Sequence, residues 1–180
     1  GSWVGYGLGS GNRNMPGYMV IQDPRGAPVN GAAVWSNGYL PAAYQGTLLR
    51  PSGAPILNLG SPRGVDRIRQ RRELDELQWL NNRHLAKHAD NSELEARISA
   101  YELAFRMQSA GPELLDFSKE SPSTLEMYGV NKEPTKPFAT NCLLARRMVE
   151  RGVRYVQLIC GGWDAHGDCK GNHEGQAKKI

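Results

Sequence analysis

Apolar residues recur at helical spacing through the middle of the chain, among many charged positions. In residues 65–88 and again in residues 94–105 they fall on one face of a helix, because positions three, four or seven apart share a face. The pattern predicts a helical pair within residues 63–111, in which each helix buries its apolar stripe. The stripes consist of Leu74, Leu77, Leu80 and Leu85 in the first helix and of Leu94, Ile98, Tyr101 and Phe105 in the second.

Capping residues mark the ends of several predicted helices. Ser92 followed by Glu95 fits a capping box, in which each side chain satisfies a free amide of the opening turn. The same helix is expected to end at Gly111-Pro112, because proline lacks the amide that would continue it. A short helix is predicted to begin at Ser121-Pro122 and to end at Gly129.

The last third of the chain, residues 112–180, combines a helix with a strand. Residues 140–151 read as a helix that ends at Gly152, a residue that takes a left-handed conformation without strain. An apolar run at 153–160 follows at once and predicts a buried strand. Helix, glycine and strand in this order form half of a βαβ unit, so the pattern predicts an α/β fold with a parallel sheet. The inward residues of the helix are Leu143, Leu144 and Met148.

The first third, residues 1–62, is rich in glycine and proline and carries little charge. It cannot be mostly helical. Its best strand is at 18–22, which stops at the turn-like sequence 23–26. The remainder is predicted to be ordered loop, because disordered segments are depleted in the aromatic residues found here. The three segments together predict a single, incomplete domain.

The chain has 180 residues and a formal net charge of +4, from 22 Lys and Arg against 18 Asp and Glu. The basic excess lies on the first predicted helix, where acidic residues are interleaved with the arginines. A solvated face with ion pairs is therefore expected, and no nucleic acid is expected to bind. No run approaches the roughly 18 apolar residues of a membrane helix. The three cysteines are an odd number, which argues against a disulfide framework.

A carboxylate and an imidazole follow the predicted strand at 153–160. Asp164 and His166 stand two residues apart after Gly161 and Gly162, which would let the chain bend sharply. Asp and His are ligands of divalent metals, and ligands in open α/β sheets bind beyond the carboxyl ends of the strands. The alternative is a turn whose Asp caps the next helix and whose His is merely exposed. His173 is a further candidate, either as a third ligand or as a substrate contact, and its alternative is a solvated helical histidine.

Other motifs are weaker. Cys160, His166, Cys169 and His173 form a Cys2His2 set, but the cysteines are too far apart in sequence for a zinc knuckle. The glycine-rich residues 5–11 have neither the preceding strand nor the following helix of a phosphate-binding loop, and are predicted to be loop. His84 and His88 are expected in the last turn of a helix, where its dipole favours a cation.

Several stretches in order resemble one protein family, a bacterial sulfatase-like family labelled domain of unknown function 1501. Similarity to the alkaline-phosphatase superfamily comes with it. The stretches are residues 1–4 and 6–10, 39–47 (YLPAAYQGT), 101–108 (YELAFRMQ), 142–147 (CLLARR) and 161–168 (GGWDAHGD).

The resemblance implies a partial three-layer α/β/α alkaline-phosphatase-like fold and the metal-assisted hydrolysis of sulfate or phosphate esters, on small molecules or glycans. It implies that Asp164 and His166 are metal ligands, with His173 beside them, for a divalent ion such as zinc, manganese or calcium. A periplasmic or otherwise extracytoplasmic setting is also implied. The superfamily's nucleophile and remaining ligands belong to other strands, so the chain is expected to be an internal fragment without turnover of its own.

A second hypothesis is that the protein retains this fold but has no catalytic activity. In it the protein is a non-catalytic binding or assembly protein, and the aromatic loops with Trp35, Tyr39 and Tyr44 bind a glycan or a partner.

Overall fold

Three short strands run parallel in one sheet. The computed structural model describes residues 1–50, 56, 60–61 and 63–180. Strand β1 (Tyr18–Ile21) pairs on one side with β2 (Thr47–Leu49) and on the other with β3 (Tyr155–Leu158), both in parallel. The parallel sheet and the strands expected at 18–22 and 153–160 are confirmed. Strand β2 was not expected, because its three residues lie in a glycine- and proline-rich stretch that reads as loop.

The described residues form helices before, between and after these strands. Short 3₁₀ turns lie at Gly31–Trp35, Ala42–Tyr44 and Phe117–Lys119. The α-helices are α1 (Ser2–Leu8), α2 (Arg67–Leu85), α3 (Ser92–Leu115), α4 (Pro122–Tyr128), α5 (Lys136–Glu150) and α6 (Cys169–Ala177).

The two faces of the sheet are covered differently. On one face the side chains of Met19 and Ile21 join a buried cluster with residues of α3 and α5, including Leu144 and Met148. On the other face Tyr18 and Val20 pack against Trp35 of the first 3₁₀ turn. Among the described residues, α-helices thus cover one face and the first 3₁₀ turn lies on the other, and the fold is mixed α/β. The core cluster contains Met15, Met19, Ile21, Leu49, Met107, Leu114, Leu144, Met148 and Val153.

Strand β3 is only partly buried, whereas every residue of β1 is buried. Within the described residues β1 has a neighbour on both sides and β3 has one. The expectation of a fully buried strand at 153–160 was therefore wrong in degree, because an edge strand keeps one side open.

Both expected ends of α3 are wrong. The cap is Asn91, whose side-chain oxygen accepts a hydrogen bond from the Leu94 amide at 3.0 Å, so the Ser92–Glu95 capping box does not form. The helix also continues through Pro112 to Leu115. Its last turn is held from outside, since the buried Arg147 guanidinium of α5 donates to the carbonyls of Glu113 and Leu114.

Helix α2 does not bury its leucine stripe. None of its residues is buried, and Leu77 and Leu80 are about half exposed. Its contacts with α3 include Arg71, which pairs with Glu102 at 2.9 Å and lies over the Phe105 ring. By contrast, α4 agrees with expectation, and α5 agrees in its buried face and its end but begins at Lys136 rather than at residue 140. Ser121 caps α4, Gly129 closes it with φ of 77°, and the inward residues of α5 are buried.

Candidate functional site

The chain segments that follow β1 and β3 lie side by side, because neighbouring parallel strands end at the same edge of a sheet. Asp23 follows β1, and the turn with Asp164 and His166 follows β3. The side chains of Asp164 and His166 are 86% and 88% exposed, and His166 Nε2 lies 3.2 Å from Asp164 Oδ2. A carboxylate oxygen and an imidazole nitrogen therefore meet at the carboxyl edge of the sheet, open to solvent.

The bend out of β3 depends on Gly162, which adopts φ of 86°. The positive φ is the reason that this position favours glycine; a Cβ atom there would also lie 2.8 Å from the side-chain nitrogen of Gln176, whose flexible side chain would have to shift. Helix α6 is capped by Asp168, whose Oδ1 accepts from the Gly171 amide at 3.2 Å. The helix cap considered for Asp164 is thus supplied by a different aspartate.

His173 lies on α6 and turns toward Trp163. Its Nε2 is 2.9 Å from the Trp163 carbonyl oxygen, its Nδ1 is 3.3 Å from Cys169 Sγ, and its ring stacks on the Trp163 indole. Because a carbonyl only accepts, Nε2 carries the hydrogen, and Nδ1 accepts from the thiol. Both ring nitrogens are engaged. The structure brings Asp164 and His166 together, and leaves His173 with other partners.

Among the described residues, no three His, Cys, Asp or Glu side chains lie together so that they could hold one metal ion. The Cys2His2 set is accordingly not assembled. Cys169 pairs with His173, while the Cys160 thiol lies 3.8 Å from the Arg25 guanidinium.

Sequence reasoning missed two residues at this edge, Asp23 and Arg25, which it assigned only to a turn. The Asp23 side chain is 7% exposed and accepts hydrogen bonds from the Arg25 side chain, the Arg25 amide and the Gly161 amide. The Arg25 side chain is the main cause that lowers the pKa of Asp23 from 3.8 to about 2, against the opposing effect of burial. An acid directly after an apolar strand, two residues before an arginine, was the available signal.

A small cavity of about 130 Å³ lies beside this pair. Phe138 of α5 and Ile159 supply apolar surface, and Arg25 and Lys179 supply positive charge. The cavity borders Cys160 and so adjoins the segment that leads to Asp164.

The remaining candidates fall elsewhere. Gly5 and Gly7 lie within α1, so the loop expected at 5–11 is in part helical. Helix α1 is short and contains two glycines beside its aromatic residues, so the sequence offers no reason to expect a helix there. The His84 and His88 rings lie 4.6 Å apart, but α2 ends at Leu85, so His88 follows the helix.

The aromatic loops differ from expectation, whereas the arginine-rich face of α2 agrees with it. Trp35 is buried on the sheet and cannot belong to an exposed aromatic surface, while Tyr39 is exposed and Tyr44 packs edge-to-face on Tyr6. The arginine-rich face of α2 carries the expected i, i+4 ion pairs. These are Arg69 with Glu73 at 2.8 Å and Arg71 with Asp75 at 2.7 Å.

One family profile, described as "Protein of unknown function (DUF1501)", matches residues 1–180. The chain belongs to the DUF1501 family. No curated protein and no solved structure matches it. DUF1501 membership agrees with the motifs spread along the chain and assigns no activity to them. In the part of the chain that the structure describes, no helix has the length and apolar character needed to cross a membrane.

Proposed function

We propose that this DUF1501 protein is a metal-dependent hydrolase of sulfate or phosphate esters, on small molecules or glycans, in which Asp164 and His166 bind a divalent cation. The observation that carries the proposal is the pairing of these two side chains, 3.2 Å apart and exposed, at the carboxyl edge of a parallel sheet. Ligands in open α/β sheets bind at this edge. The family resemblance supports the ester chemistry and an extracytoplasmic setting.

The same family resemblance leads to a proposal for the fold. We propose that β2, β1 and β3 belong to the central sheet of an α/β/α alkaline-phosphatase-like fold. Their parallel order and the packing of α3 and α5 on one face support this assignment.

The donor set fits a divalent cation that accepts oxygen and nitrogen ligands, such as zinc or manganese, and the carboxylate would also suit calcium. Asp164 would supply an anionic oxygen and His166 a ring nitrogen. Such an ion, when bound, stabilises negative charge on the group being transferred. His173 is left out of the proposed pair because both of its ring nitrogens are engaged; it instead holds the Trp163 carbonyl, one residue before Asp164.

Metal content and hydrolysis test the proposal together. In the full-length protein, Asp164→Ala and His166→Ala should each lower the bound divalent metal and the hydrolysis of nitrophenyl sulfate or phosphate. His84→Ala is the matched control, since it removes a histidine outside this edge of the sheet. Unchanged metal content in both variants would contradict the proposal. A wild-type protein that holds metal and hydrolyses neither ester would contradict the hydrolase and favour the non-catalytic binding protein.

A further inference from the structure

A buried carboxylate joins the end of β1 to the segment that follows β3. Asp23 Oδ2 accepts from the Gly161 amide at 2.7 Å and from Arg25 Nη2 at 2.6 Å. Asp23 Oδ1 accepts from the Arg25 amide at 2.8 Å and from Arg25 Nε at 2.9 Å. Both carboxylate oxygens are therefore occupied by N–H donors, inside the protein.

Arg25 extends the same connection in two further directions. Its Nη2 donates to the Gly161 carbonyl at 2.8 Å, and its Nη1 donates to Gln176 Oε1 of α6 at 2.8 Å. Gly161 is thus held at its amide by Asp23 and at its carbonyl by Arg25. We call this arrangement of Asp23 and Arg25 the clamp.

The clamp holds both sides of the turn that carries the proposed metal ligands. Gly161 begins the turn, and α6, which Gln176 ties to Arg25, follows it. Between these points the side chains of Asp164 and His166 are exposed, and the polar contact that they make is with each other. Because solvent-exposed side chains gain little order from packing, their positions depend on the backbone that the clamp fixes.

Neither member of the clamp is suited to touch metal or substrate itself. The oxygens of Asp23 already accept from nitrogen donors, and its side chain is 7% exposed. The Arg25 guanidinium is spread over Asp23, Gly161 and Gln176, so it has no free pair of donors to offer an ester anion.

We infer that Asp23 and Arg25 are positioning residues, which hold Gly161 and α6 so that Asp164 and His166 are presented in the geometry that binds a divalent cation. The inference rests on the proposed function for its metal. Groups that orient metal ligands from outside the coordination sphere commonly change metal affinity about 10- to 100-fold when they are removed.

Two substitutions separate the parts of the clamp. Asp23→Asn keeps the shape of the side chain and removes its charge. Arg25→Lys keeps the charge and removes the planar fork that reaches three acceptors at once. In the full-length protein both should weaken the binding of Co²⁺, used as a spectroscopic probe, about tenfold. Both should also alter the visible absorption of bound Co²⁺ and speed amide hydrogen exchange in residues 161–168.

The matched control is Met148→Val. Met148 is fully buried on α5, close to the chain reversal at Gly152 and so near the opposite edge of the sheet. The substitution should lower global stability and leave both the Co²⁺ spectrum and the amide hydrogen exchange of residues 161–168 unchanged. All spectra are recorded well below the melting temperature of each variant, so a loss of folding cannot imitate a change in coordination.

Each result decides a separate point. The inference is wrong if both clamp variants bind Co²⁺ with the affinity and spectrum of the wild type and exchange amide hydrogens in residues 161–168 at the wild-type rate. It is also wrong if Met148→Val changes these measurements as much as the clamp variants do. A wild-type protein that binds no Co²⁺ would overturn the proposed function and the metal role of the clamp. The exchange measurement would then still decide whether the clamp orders the turn.

Discussion

Asp23 and Asp164 both follow parallel strands at the same edge of the sheet, and their side chains are 7% and 86% exposed. Asp23 accepts from the backbone and side chain of Arg25 and from the Gly161 amide, so its charge is compensated inside the protein. Asp164 has His166 beside it and otherwise faces water. One carboxylate is committed to protein structure, and the other keeps oxygen lone pairs available to a ligand.

The difference shows how a binding turn can keep its side chains exposed to solvent while its backbone is held in one position. A side chain that must exchange water for a cation has to remain exposed, and exposure gives it little packing to fix its position. The ordering is therefore supplied three residues earlier, at Gly161, by the buried Asp23 carboxylate and by Arg25, which pairs with it. Charge-assisted hydrogen bonds to a buried carboxylate are among the stronger contacts available for this purpose.

Acid titration should give the largest effect that separates the two carboxylates. Folding lowers the pKa of Asp23 from 3.8 to about 2, so ionised Asp23 favours the folded state above about pH 4. This contribution is lost as the pH falls through 3.8 toward 2, because the folded protein then takes up the proton that the unfolded chain already holds. It corresponds to about 2 kcal/mol of unfolding free energy.

The measurement compares urea unfolding of the wild type and Asp23→Asn from pH 7 to pH 2. The gap in unfolding free energy between them should be constant at neutral pH and narrow below about pH 4. Asp164→Asn is the matched control, and because the Asp164 side chain is 86% exposed, its difference from the wild type at neutral pH should be small. A gap for Asp23→Asn that does not change with pH would show that Asp23 is not held as a charged group.

A smaller loss is expected when the bend itself is altered. Gly162→Ala puts a Cβ into a backbone with φ of 86°, which should cost about 1–2 kcal/mol of unfolding free energy. The side chain of Gln176 must also move, and Gln176 accepts from Arg25. Thermal or urea unfolding measures the loss.

Gly161→Ala is the control for that substitution. Gly161 does not have a left-handed φ, and a Cβ there would lie 3.5 Å from Asp23 Oδ2, an ordinary van der Waals distance. It should therefore be better tolerated than Gly162→Ala. Equal losses at the two positions would argue against a specific backbone requirement at Gly162.

The parts of the fold that follow from local sequence were predictable. The runs at β1 and β3, the capped helix α4 and the buried face of α5 all contain their own signals within a few residues. The Asp164–His166 pair was found for the same reason, since both residues lie in one turn after a strand.

The parts that depend on distant partners were not predictable. Arg147 supports the last turn of α3 from another helix, so the proline near its end does not stop it where the sequence suggests. Asp23 and Gly161 are 138 residues apart, and no local pattern joins them. His173 was grouped with Asp164 and His166 by helical spacing, whereas its ring nitrogens contact Trp163 and Cys169.

The smallest effect on stability should come from the exposed pair. Asp164→Ala and His166→Ala should each change the metal-free unfolding free energy by less than about 0.5 kcal/mol, because a polar contact between two exposed side chains competes with water and its loss leaves nothing buried without a partner. Salt makes the distinction sharper. Raising the salt concentration should leave these two variants even closer to the wild type, since it screens exposed charges, and should affect the buried contacts of Asp23 much less. A loss for Asp164→Ala as large as that for Asp23→Asn would mean that Asp164 stabilises the folded chain, and the contrast between a structural and an available carboxylate would fail.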